Sequence, residues 1–136
     1  MRAVLDVNVL ISAILAPTGA PSGLLLAWQA GAFEMIVSPA LLAELAQALG
    51  YSKLRKRIPA AEADEFVTWL TRSATIAPDP DSAPPVQASD PGDDYLLALA
   101  SDQRAILVSG DSHLLALAND FPIVTPARFR VMLSTE

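Results

Sequence analysis

Short apolar runs alternate with helically spaced ones down the whole chain, in the order strand then helix, about five times over. The first unit, Arg2 to Leu15, reads RAVLDVNVLISAIL. Ala3–Leu5 is expected as a buried strand and Asn8–Leu15 as the helix behind it. Glu34–Val37, Thr75–Ala77, Ala105–Val108 and Pro122–Val124 are the further strands. Ser22 is expected to start a helix over Gly23–Ala30. Ser38-Pro39 starts another that ends at Gly50, as an N-cap with proline at the first helical position. Ala60–Ser73, Asp90–Gln103, Asp111–Ala118 and Pro126–Leu133 complete the helices, and a proline-rich loop covers about residues 78–89. These strands are too apolar to face water on one side. The pattern therefore predicts an α/β domain with a central parallel sheet of about five strands covered on both faces.

A length of 136 residues suits a single domain over 1–136. No apolar run approaches the roughly 18 residues of a membrane span. The first apolar run carries Asp6 and Asn8, which argues against a signal peptide. The chain has no cysteine, so disulfides and thiolate metal sites are excluded and a cytoplasmic setting fits. The net charge of −6 disfavours phosphate binding by the surface at large. Four of the nine basic residues nevertheless cluster as Lys53, Arg55, Lys56 and Arg57. That cluster is either a phosphate-binding patch or a solvated helix end.

The acids are more informative. Asp6 ends the first strand, where it can cap the next helix or project into a crevice at the sheet's carboxyl edge. Asp111 repeats the device after Ile106-Leu107-Val108 and the tight exit Ser109-Gly110. Glu44 flanks the stripe formed by Leu41, Leu42, Leu45 and Leu49, with small Ala40 and Ala48 one turn away. It is either an ordinary surface acid or a half-buried one. In Asp90-Pro91-Gly92-Asp93-Asp94, Asp90 and Asp93 suit capping roles, whereas Asp94 lies along a side with Leu97 and Ala98. Carboxylates converging without lysine or arginine repel one another at low dielectric, and a divalent cation resolves that conflict. An all-oxygen donor set selects Mg²⁺ or Mn²⁺ over zinc. His113 is the only histidine and cannot make a histidine-rich site.

Asp6-x-Asn8, Glu44 within Ser38-Pro39-Ala40-Leu41-Leu42-Ala43-Glu44-Leu45, Asp90-Pro91-Gly92-Asp93-Asp94 with the following Tyr-Leu-Leu-Ala, and Ser109-Gly110-Asp111 together resemble the PIN domain. The resemblance is greatest to the PIN-family toxins of toxin–antitoxin operons, the VapC-like ribonucleases, and it spans essentially the whole chain. It implies a three-layer α/β/α fold with strand order 3-2-1-4-5, which sets Asp6 beside Asp111. It also implies a Mg²⁺- or Mn²⁺-dependent endoribonuclease with Asp6, Glu44, Asp94 and Asp111 as catalytic and metal-binding acids. Asn8 and Ser109 would orient those carboxylates. Asp93 sits close enough to exchange roles with Asp94 on a one-residue slip. Val7 stands where such proteins commonly have threonine, and His113 where an aspartate often follows the Gly-Asp pair.

By the same resemblance the substrate is RNA, cleaved to 5′-phosphate and 3′-hydroxyl ends, with Lys53, Arg55, Lys56 and Arg57 as candidate backbone contacts. A small antitoxin and a homodimer are the implied partners. The helix around Leu24, Leu25 and Trp28 is a candidate interface or, alternatively, core. Two neighbouring readings are a PIN nuclease of RNA processing without an antitoxin and a non-catalytic PIN scaffold that binds RNA or protein. An aspartyl phosphatase would want an acid at position 8 and a later lysine, and no lysine follows Lys56. A signalling receiver domain fails for want of the same lysine.

Overall fold

A computed structural model of the chain describes residues 1–81 and 91–135. Five parallel strands, β1 (Arg2–Leu5), β2 (Glu34–Val37), β3 (Thr75–Ile76), β4 (Ile106–Val108) and β5 (Ile123–Val124), form one sheet in the order β3-β2-β1-β4-β5. Ala3, Val4 and Leu5 of β1, Met35, Ile36 and Val37 of β2, and Leu107 and Val108 of β4 are buried whichever way they point. A strand buried on both faces needs helices on both, which is why these runs are continuous rather than alternating.

The helices are α1 (Val7–Leu15), α2 (Ala20–Gln29), α3 (Pro39–Leu49), α4 (Ser52–Arg55), α5 (Ala60–Ser73), α6 (Asp94–Asp102), α7 (Ser112–Leu115) and α8 (Pro126–Ser134). The Ser38 hydroxyl accepts the Leu41 N–H to start α3, and Thr125 does the same for α8 through the Arg128 N–H. Both helices then have proline in the first turn, where its missing N–H goes unneeded. Among the described residues, no single helix is long and apolar enough to cross a membrane.

Several boundaries differ from expectation. Helix α2 starts at Ala20 rather than Gly23, because Pro21 falls in its first turn and Gly19, at φ 119°, makes the entry turn. At the expected Asp90–Gln103 helix, Pro91–Asp93 form a 3₁₀ turn and the α-helix begins only at Asp94. Asp93, rather than Asp90, is its cap residue, and Asp90 lies outside the described residues. Most of the proline-rich loop, residues 82–90, also lies outside them. The expected Asp111–Ala118 helix shortens to one turn, because Ala116 to Asp120 turn back towards β5.

The chain builds outward from β1 to β3 on one side, then crosses to β4 and β5 on the other. Beta strands β1 and β4 are therefore neighbours in space, with Leu5 paired to Val108. This is the topological switch point of the sheet, and both strands point their carboxyl ends into the same crevice.

Candidate active site

Asp6 follows the last residue of β1, and its own N–H donates to the Val108 carbonyl of β4 across 2.9 Å. The residue is buried, at 7% exposure. One carboxylate oxygen accepts the Asn8 backbone N–H at 3.4 Å, so Asp6 caps α1. The other accepts the Ser109 hydroxyl at 2.8 Å. The capping and site readings of this residue are thus compatible, because the two oxygens do separate work. Burial raises the Asp6 pKa above its ordinary value; the Ser109 hydroxyl and the Asn8 N–H act against that, and the Asp111 charge adds to it. Among the described residues, none of the groups acting on Asp6 is a cation.

Ser109 is fully buried one residue beyond β4. Its oxygen also accepts the Asp111 N–H at 3.0 Å. One hydroxyl therefore fixes the Asp6 carboxylate and the backbone that carries Asp111. Asp111 is half-buried, and its carboxylate accepts the His113 N–H at 2.8 Å as the cap of α7. The His113 side chain is exposed. Beside this pair lies an open cleft of about 390 Å³, lined by Asn8, Val9, Ser12, Pro21, Gly110, Asp111 and Pro126. The exposed Asn8 side chain faces this cleft, while its backbone N–H serves Asp6.

Glu44 is exposed on α3 and accepts a hydrogen bond from the Tyr95 hydroxyl, which reaches it from the first turn of α6. Tyr95 interacts electrostatically with Asp6 and Asp93 as well as with Glu44, so the phenol stands among the acids. Burial, then the Glu44 carboxylate, push its pKa up, which keeps it protonated and donating. Asp93 and Asp94 are both half-buried at the start of α6. Lys53, Arg55, Lys56 and Arg57 are exposed on and just after α4, beyond the C-terminal end of α3. In the candidate interface helix α2, Leu24 and Leu25 are core, whereas Leu26 is 65% exposed.

Sequence reasoning passed over Tyr95, Ser12 and Pro126. Tyr95 carried a signal: it is the one aromatic of its helix, and the five residues after it, Leu96 to Ala100, are all buried. Ser12 and Pro126 carried none, because nothing local shows that α1 and α8 border one cleft.

The donor chemistry at the switch point is oxygen throughout, as a hard divalent ion requires. Among the described residues, no three acidic or histidine side chains close on a single point. Asp6 and Asp111 alone suffice for the Mg²⁺ habit of taking one or two carboxylates and completing its shell with water and substrate phosphate. The residues present fit such an ion in that form.

A family model described as "PIN domain" matches residues 2–113. No curated protein sequence matches the chain. The fold is similar to a solved structure of VapBC2 from Rickettsia felis, described as bound to a DNA fragment from their promoter. That likeness has a TM-score of 0.62 at 16% identity and covers 92% of this chain and 98% of the other.

Proposed function

This chain belongs to the PIN-domain family, and on that premise we propose that it is a metal-dependent endoribonuclease acting as the toxin of a toxin–antitoxin pair. The observation that carries the proposal is the hydroxyl of Ser109 holding Asp6 beside Asp111 at the β1/β4 switch point. A buried carboxylate with an acidic neighbour is costly unless something positive visits it. Asp6 and Asp111 would hold Mg²⁺ or Mn²⁺, with Glu44 and Asp94 completing the acidic set from α3 and α6. When bound, such an ion activates water for attack on a phosphodiester and offsets charge on the leaving oxygen.

The chain's own residues have distinct tasks in this reading. Ser109 and the Asn8 N–H aim the two Asp6 oxygens. Asp111 faces the cleft, where the amide of Asn8 and the hydroxyl of Ser12 can orient the RNA strand. A half-buried acid of the set, Asp94 or Asp93, takes up the proton released from the attacking water. Lys53, Arg55, Lys56 and Arg57 bind the RNA backbone away from the reacting bond.

An antitoxin segment covering the acidic cleft, and a dimer of the chain itself, are the partners this reading supplies. The similarity in fold to a protein solved as VapBC2 supports the first of these. The test is cleavage of single-stranded RNA by the purified protein with added Mn²⁺ or Mg²⁺. Cleavage that persists in excess chelator contradicts the metal, and no cleavage with either ion contradicts the nuclease.

A further inference from the structure

Tyr95 stands among the acids of the crevice without being one of them. It sits at the second position of α6, with a half-buried ring, and its hydroxyl crosses to Glu44 on α3, 51 residues away in sequence. Glu44 is exposed. An exposed glutamate on a helix has several rotamers open to it and finds water for its carboxylate in all of them. A fixed phenol donor singles out one of them. The same phenol also feels the Asp6 and Asp93 charges, so the bond ties Glu44 to a group that stands near both acids. The bond engages the Glu44 Oε2 atom. Tyrosine suits this duty: it is neutral, so it does not compete with the ion, and its ring is fixed by only two side-chain torsions.

We infer that Tyr95 is a positioning residue that holds Glu44 over the Asp6 crevice, so that Glu44 reaches a divalent ion bound there. The inference rests on the metal-dependent reading of the site. A merely structural role would instead make the bond a tie between α3 and α6. The two differ in what they do to metal binding, since partners of metal-ligating groups typically contribute about 10–100-fold to metal affinity.

The experiment is Mn²⁺ binding to the full chain, read by electron paramagnetic resonance of the free ion, for wild type, Y95F, E44Q and the double variant. The expected result is an affinity about tenfold or more weaker in Y95F. That loss disappears when Glu44 is already Gln, because Tyr95 acts through it. Unchanged affinity in Y95F, or an equal loss in the E44Q background, overturns the role of Tyr95 and leaves the metal reading standing. A wild-type chain that takes up no Mn²⁺ overturns both. Should Y95F fail to fold, Y51F carries the test, because the chain has two tyrosines and Tyr95 then remains alone. Saturating Mg²⁺ should shift its near-ultraviolet tyrosine absorption, and an unchanged spectrum with Mg²⁺ bound refutes the role.

Discussion

The Ser109 hydroxyl donates to the Asp6 carboxylate across 2.8 Å, and this bond joins the carboxyl ends of the two central strands. The two residues are 103 apart in sequence, and the pairing of Leu5 with Val108 brings them together. Because the same oxygen accepts the Asp111 N–H, a buried serine sets the spacing of the two acids.

Ser109→Ala should therefore disturb both. It leaves a buried Asp6 oxygen and the Asp111 N–H without their partner, at a cost of about 1–3 kcal/mol in stability. RNA cleavage should fall by about 10–100-fold, in line with the loss of a group that orients a metal ligand. Thermal melting and single-turnover cleavage read the two effects separately. A variant with normal activity contradicts the orienting role.

Asp6→Asn should make the metal-free chain more stable at neutral pH. Burial raises the Asp6 pKa, so its contribution to stability is full below the ordinary value of 3.8 and is lost as pH rises through the raised value. Asparagine keeps an acceptor for the Asn8 N–H and carries no charge. The variant's melting temperature should exceed that of the wild type at pH 7, with an advantage that shrinks as pH falls. A variant less stable at pH 7 would show that something other than the buried charge dominates there.

At the opposite end of the strands, Glu34 accepts the Thr75 hydroxyl at 2.7 Å and pairs with Arg2 at 2.9 Å. Its pKa is lowered, chiefly by Thr75 and then by Arg2. The stabilisation is present above the ordinary value of 4.5 and is lost as pH falls through the lowered one. Glu34→Gln should accordingly flatten the acid side of the melting-temperature profile. An unchanged acid limb would mean that this exposed network adds nothing measurable.

Replacing Lys53, Arg55, Lys56 and Arg57 together by alanine should weaken RNA binding and flatten its salt dependence. Each lost contact to a single strand removes about 0.7 from the slope of log affinity against log salt, so four remove up to about 3. Filter binding across a salt series measures this. A slope equal to that of the wild type assigns the cluster to plain solvation.

The parallel sheet was legible because continuous apolar runs admit only a sheet covered on both faces, whereas its strand order followed from the resemblance to the PIN domain and not from the runs themselves. Helix α3 was legible to its ends, because Ser38, Pro39 and Gly50 are all local signals. Other limits depend on tertiary context. The late start of α6, behind a 3₁₀ turn, and the single turn of α7 are not encoded in local propensity. The Tyr95–Glu44 bond and the cleft shared by α1 and α8 arise from helices distant in sequence, and local spacing cannot reveal them.

The central claim is that Asp6 anchors a metal-dependent ribonuclease site. Its most direct test is single-stranded RNA cleavage in Mn²⁺ by wild type and Asp6→Asn, at matched concentration and with folding confirmed by melting. The wild type should cleave, and the variant, which keeps the shape of the site but loses the charge, should be slower by at least about 100-fold. Equal cleavage by the two proteins would contradict the account.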